Sequence, residues 1–258
     1  MKEQFIMTSL GRISVLLDDG ATDMPIIYLH GVFMDKTLWT KVSSPFKGRM
    51  QVFVDMPAHG SSDNIGHDWS LNDCAEMLIR IMDELNVQRC VVIGHSWGSM
   101  TALRAAIQFP DRFAALGLFN MPFRRTKGLS RIIFALQKSM TIFPAFFAKQ
   151  AAKQLYSPQL LEKRPELITQ MQARLSKRPA KEIARTIKAV ILEAEDAVSL
   201  IQNLQVPAIA VIGETDYVGI PPKLEFLTVS GGHISPQEAE EEARNIIKRV
   251  LELAGHAA

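Results

Sequence analysis

Cysteine is almost absent from this chain, with two in 258 residues, and long apolar runs are missing altogether. Cys74 and Cys90 lie far apart, show no metal-ligand spacing and sit in apolar patterns. That sets aside a disulfide framework and a structural zinc site, and the pair reads as small buried hydrophobes of a reducing compartment. Nothing approaches the roughly 20 apolar residues of a membrane span. The N-terminus, MKEQFIMTSLGRISVLLDDG, lacks the apolar stretch of a signal peptide and alternates like a strand pair about Leu10-Gly11. A cytoplasmic protein with no transmembrane segment is expected. The net charge is only +2, so there is no global case for a nucleic-acid partner. Glycine-rich phosphate loops and Cys/His/carboxylate clusters are also missing, so neither cofactor nor metal is expected.

What is present is ordinary globular material: 47% apolar and 22% charged residues are enough to bury a sizeable core. Short, nearly all-apolar runs recur at Pro25–Leu29, Met50–Val54, Arg89–Ile93, Phe113–Phe119, Pro207–Ile212 and Leu224–Val229. Continuous runs of this kind are covered on both faces, which points to a parallel sheet. Helical patterns lie between them. Ser70-Leu71-Asn72-Asp73 resembles a capping box before Ala75, Leu78, Ile79, Met82 and Leu85, and a second helix spans Trp97–Gln108. Ser235-Pro236-Gln237-Glu238 reads as the start of the last helix, with Ser235 as N-cap and a stripe at Ile246, Ile247, Val250 and Leu251. Strands alternating with helices give an α/β fold with a mostly parallel, doubly wound sheet.

One stretch breaks the alternation. Residues 124–190 contain no strand-like run, only helical pieces punctuated by Pro144, Pro158, Pro165 and Pro179. Basic residues far outnumber the acidic ones there, which are Glu162, Glu166 and Glu182. The expected organisation is a core of residues 1–123 and 191–258 with a helical cap, or lid, at 124–190.

The run VVIGHSWGSM carries the chain from a buried strand into a serine between two glycines, and then into a helix. A serine hydroxyl is a poor nucleophile unless a base, an orienter for that base and donors for an oxyanion surround it. A tight strand-to-helix turn lifts Ser96 above the sheet, and flanking glycines let the backbone crowd there. The base should follow a later strand, and His233 does, after Val229-Ser230-Gly231-Gly232. For the orienting carboxylate, Gly213-Glu214-Thr215-Asp216 offers two candidates; Asp216 is favoured, being shorter and further into the loop. Open α/β sheets place their chemistry at these strand ends.

These residues resemble the α/β-hydrolase superfamily of serine hydrolases. The likeness rests on Leu29-His30-Gly31, on Asp55-Met56-Pro57-Ala58-His59-Gly60-Ser61-Ser62, and on Gly94-His95-Ser96-Trp97-Gly98. Gly213-Glu214-Thr215-Asp216 and Gly232-His233 complete it. The resemblance implies an oxyanion hole from the backbone N–H groups of Val32 and Trp97, and an acyl pocket lined by Phe33 and Trp97. Ala58 stands where the family usually has glycine. The gap from Asp216 to His233 is short, the usual helix being compressed to about Pro221-Pro222-Lys223. The family's alternative acid position holds Asn120, which carries no charge.

The expected function is cofactor-free hydrolysis of a small-molecule carboxylic ester, with lactones and thioesters as variants. The same triad also suits carbon–carbon bond hydrolases, perhydrolases and aminopeptidases, and the same fold can serve as a small-molecule receptor. In the basic segment, Leu129, Ile132, Ile133, Leu136, Met140, Ile142, Phe143, Phe146 and Phe147 are interleaved with cations. That pattern suits an acyl carrier protein or an anionic lipid surface as partner.

Overall fold

The computed structural model describes residues 1–20 and 24–256. The expected N-terminal hairpin is β1 (Lys2–Thr8) and β2 (Gly11–Asp18), turning at Gly11, where φ is +89°. The strands β3 (Ile26–Leu29), β4 (Gln51–Val54), β5 (Cys90–His95), β6 (Phe113–Phe119), β7 (Ala208–Gly213) and β8 (Glu225–Val229) follow. They form one sheet in the order β1-β2-β4-β3-β5-β6-β7-β8. The pairs β1–β2 and β2–β4 are antiparallel and all others parallel. In β3, β4, β5 and β6 every residue is buried, which is why their sequences are continuous rather than alternating.

β8 departs from that expectation. Glu225, Phe226 and Thr228 are exposed, because β8 is the last strand of the sheet with a neighbour on one side only.

The first helix, α1 (Leu71–Glu84), begins with the capping box that its sequence promised. Asp73 N–H donates to Ser70 Oγ at 3.3 Å and Ser70 N–H donates to Asp73 Oδ2 at 2.7 Å. It ends at Asn86, whose φ of 55° is the left-handed turn that stops a helix. α2 (Trp97–Gln108) packs against α1 and onto β5 and β6. Between β6 and β7 the chain runs through α3 (Gly128–Ser139), α4 (Pro144–Leu155), α5 (Pro158–Lys163), α6 (Glu166–Ser176), α7 (Ala180–Ile187) and α8 (Val198–Gln202). A π-helical turn at Lys188–Leu192 follows α7.

The C-terminal end corrects the sequence reading. Ser235 does not cap one long helix. It opens a four-residue helix, α9 (Ser235–Glu238), and the chain breaks at Ala239 before α10 (Glu240–His256). Ser235 Oγ is not available for capping, because it donates to Asn120 Oδ1 at 2.5 Å from a fully buried position. The stripe of α10 does bury Ile246, Ile247 and Val250 on the sheet, each such side chain stabilising by about 1.5–3 kcal/mol.

Candidate active site

Ser96 falls between the last residue of β5 and the first of α2, with φ 50° and ψ −109°. A non-glycine residue there is strained by roughly 1–3 kcal/mol, and the surrounding packing holds it in place. Its N–H donates to Phe119 O at 2.8 Å and its carbonyl accepts from Met100 N–H at 3.0 Å. The two flanking glycines are sterically required. A Cβ on Gly94 would lie 2.5 Å from Ser99 N, and one on Gly98 would lie 2.5 Å from Leu29 O. Gly31 is equally confined, since a Cβ there would lie 2.5 Å from His95 Nδ1.

The loops after β7 and β8 bring the other two expected residues to this serine. Ser96 Oγ lies 3.0 Å from His233 Nε2, and His233 Nδ1 lies 2.9 Å from Asp216 Oδ1. With Asp216 an acceptor, the consistent tautomer has Nδ1–H donating to the carboxylate and Nε2 accepting from the hydroxyl. The short gap between Asp216 and His233 is no obstacle, because β7 and β8 are neighbours and their following loops bond backbone to backbone. Glu214 N–H donates to Val229 O at 2.9 Å and Thr215 N–H donates to Gly231 O at 3.0 Å. Glu214 itself is exposed. Burial pushes the Asp216 carboxyl up, but hydrogen bonds from His233 and Asn120 outweigh it and hold the group below the usual carboxylate range.

A profile described as the alpha/beta hydrolase fold matches residues 24–221, most of the chain. The chain belongs to the α/β-hydrolase fold family. It is 22% identical over 245 residues to 3-oxoadipate enol-lactonase 2 of Acinetobacter baylyi, covering 90% of each chain. It is also 35% identical over 99 residues to a mouse sn-1-specific diacylglycerol lipase, covering 37% of this chain and 32% of that one. The matched stretch of the chain thus spans only about a third of that lipase's length. Among solved structures, a thermophilic esterase from Thermogutta terrifontis superposes with a TM-score of 0.85 at 21% identity, over 98% of this chain and 99% of that one.

Several residues of this α/β hydrolase's site were not assigned roles by sequence. Asn120, at the end of β6, donates from Nδ2 to Asp216 Oδ2 at 2.6 Å and to Gly232 O at 3.2 Å. Its position after a strand is the signal the sequence carries, though an amide has no charge of its own to mark it. Tyr217 stacks on the His233 ring, with centroids 4.7 Å apart, and its hydroxyl lies 3.4 Å from Nε2. Nothing in the sequence marks it beyond adjacency to Asp216.

Three histidines of the family motifs turn out to be scaffolding. His95 Nε2–H donates to the carbonyl of His233 at 2.7 Å and so fixes the backbone of His233. His30 Nε2 accepts from Met56 N–H at 2.9 Å, and His59 Nε2 accepts from Phe33 N–H at 3.1 Å. Those last two bonds pin the loop that carries Val32. Burial depresses all three, His30 to about 4 and His59 and His95 to about 3, so each is neutral near pH 7. Asp55 completes the clamp, accepting from Lys36 N–H and Ser61 N–H at 2.8 Å each.

A cavity of about 50 Å³ lies over Ser96, lined among others by Val32, Met100, Arg124, Phe134, Ile191 and Tyr217. Of the expected pocket residues, Phe33 lines the adjoining cavity and meets Phe147 edge-on at 5.3 Å. Trp97 corrects the expectation. Its ring lies in the core, fully buried against Trp69 and His59, and lines neither of these two cavities.

Proposed function

We propose that this protein hydrolyses a carboxylic ester or lactone through an acyl-serine intermediate, with Ser96 as nucleophile, His233 as general base and acid, and Asp216 as orienter. The observation that carries this reading is the unbroken relay from Ser96 Oγ to His233 Nε2, and from His233 Nδ1 to Asp216, at 3.0 and 2.9 Å. In the first half-reaction Ser96 Oγ attacks the carbonyl carbon while Nε2 takes its proton. The tetrahedral oxyanion is received by the backbone N–H groups of Val32, on the clamped loop, and of Trp97, the first residue of α2. A helix start leaves such N–H groups without intrahelical acceptors. His233 then returns the proton to the leaving alkoxide. In the second half-reaction water repeats the attack on the acyl-Ser96, and Nε2 again carries the proton.

The named activities of the relatives, an enol-lactonase and a diacylglycerol lipase, both cleave an acyl C–O bond and support this class over peptide or carbon–carbon cleavage. The lining of the Ser96 cavity by Val32, Met100, Phe134 and Ile191 favours an apolar acyl group. The deciding experiment is labelling with a fluorophosphonate probe followed by a panel of p-nitrophenyl esters of increasing chain length. Labelling at Ser96 with steady turnover supports the reading. An unlabelled, folded protein without turnover would refute it and leave a ligand-binding role.

A further inference from the structure

The apolar stripe of α3 faces the wrong way for a core helix. Leu129, Ile132, Ile133 and Leu136 recur at i, i+3, i+4 and i+7, the spacing by which a helix normally buries one face. Here no residue of α3 is buried, and those four side chains are 72, 58, 44 and 61% exposed. The next turn and the start of α4 add Ile142, Phe143 and Phe146, also exposed. Large apolar side chains gathered in this way mark a surface that something covers.

Charge selects the occupant. From residue 113 to residue 161 the chain contains no Asp or Glu. Arg124, Arg125, Lys127, Lys149 and Lys153 are exposed around the stripe, and among the described residues none of them pairs with a carboxylate. A second copy of the chain docked symmetrically would set these cations against themselves. An anionic bilayer supplies both an apolar interior for the stripe and negative headgroups for its rim.

The same face leads to the nucleophile. The gap between α3 and α4 holds a groove of about 290 Å³ lined by Ile133, Leu136, Met140 and Phe146. Gln137 and Phe147 are shared between that groove and an inner cavity, which in turn shares Val32, Phe134, Ile191 and Tyr217 with the cavity over Ser96. The innermost space has room for only a few water molecules, so an acyl chain must part α3 from α4 to reach Ser96.

We propose that the α3–α4 face is a docking surface for an anionic lipid bilayer, and that acyl esters pass from the bilayer to Ser96 between these two helices. The delivery step rests on the esterase reading; the docking does not.

The test is co-sedimentation of the full-length protein with vesicles of phosphatidylcholine alone and of equimolar phosphatidylcholine and phosphatidylglycerol. The wild type should sediment with the mixed vesicles at low salt and much less with the neutral ones. Ile132→Ser with Phe143→Ser should weaken partitioning by about a hundredfold, since burial of each apolar side chain is worth about tenfold or more. Arg125→Glu with Lys127→Glu and Lys149→Glu should weaken it by about a hundredfold, at roughly a factor of five or more per cation lost. Turnover of p-nitrophenyl acetate and the melting temperature should be unchanged in both variants, because all five residues are exposed. Wild-type protein left in the supernatant with the mixed vesicles would overturn the proposal. So would vesicle binding that survives the apolar pair of substitutions and responds to the charge reversals alone, which would mean charge attraction to headgroups without burial of the stripe. A concentration-dependent dimer abolished by the apolar pair would overturn it too, assigning the face to a self-interface. Sedimentation reads docking whether or not Ser96 is the nucleophile, so the two readings fail separately.

Discussion

Asn120 holds Asp216. Its Nδ2 lies 2.6 Å from Asp216 Oδ2, while its Oδ1 accepts from the buried hydroxyl of Ser235. The side chain is therefore oriented from both ends, and the carboxylate has one oxygen for His233 and the other for an amide. Hydrogen bonds to a charged group are worth about 1.5–3 kcal/mol, so Asn120→Ala should lower kcat for a small ester by about 10- to 100-fold. Ser235→Ala, which frees the amide without removing it, should cost less. Equal activity of Asn120→Ala and wild type would show that Asp216 needs no support.

The assignment of the acid itself is tested by comparison within one loop. Asp216→Asn removes the charge that fixes the His233 tautomer and should reduce turnover by about 10³- to 10⁴-fold at neutral pH. Glu214→Gln, in an exposed side chain two residues earlier, should leave turnover nearly intact. Ser96→Ala should remove about 10⁴- to 10⁶-fold while leaving the fold unchanged. Stopped-assay rates and circular dichroism on the three purified variants decide the matter; a Glu214 effect larger than that of Asp216 would reverse the roles.

Much of this architecture is legible before any coordinates. Buried parallel strands such as Cys90–His95 and Phe113–Phe119 are unbroken in hydrophobicity because helices cover both their faces, and a polar residue at their C-terminal ends stands out for that reason. Ser96 and Asp216 stand out by that contrast, and His233 by the glycines after a strand; the structure brings the three together. Partner choice is what the pattern does not carry. The stripe of α3 has the same period as that of α10, yet one faces solvent and the other lies on the sheet. Ser235 has the chemistry of an N-cap, but Asn120, 115 residues earlier in the chain, takes its hydroxyl first. Trp97 is a pocket ring only by the family resemblance, whereas in the fold its side chain is buried against Trp69 and His59. Periodicity reports that a face is apolar; only the tertiary neighbours report what it meets.

Ala58 offers a test of backbone strain. Its φ is 58°, in the left-handed region where a Cβ costs roughly 1–2 kcal/mol, and this is the position at which the family usually has glycine. Glycine relieves the clash but loses about 0.4–1 kcal/mol through greater freedom in the unfolded chain. Ala58→Gly should therefore stabilise by about 0.5–1 kcal/mol, raising the melting temperature by about 1–4 °C for a domain of this size. Calorimetry on the variant would contradict this account if the melting temperature fell.

Buried scaffold histidines should make the fold sensitive to acid. His30, His59 and His95 are neutral when folded, with pKa values near 4, 3 and 3, against an ordinary value of about 6.5. Between those limits the unfolded chain binds protons that the folded protein refuses, so stability rises with pH across this window and falls as the solution is acidified. Above about pH 6.5 their contribution is complete. Below it each group removes up to about 1.4 kcal/mol per pH unit, so three together should cost about 6 kcal/mol by pH 5. Urea unfolding at pH 7.5, 6 and 5 should show the midpoint moving down with acid. His59→Gln, which cannot be protonated, should flatten that slope by about a third, even if it starts from a lower stability at pH 7.5. A slope unchanged by the substitution would mean that the His59 imidazole is not held neutral in the fold.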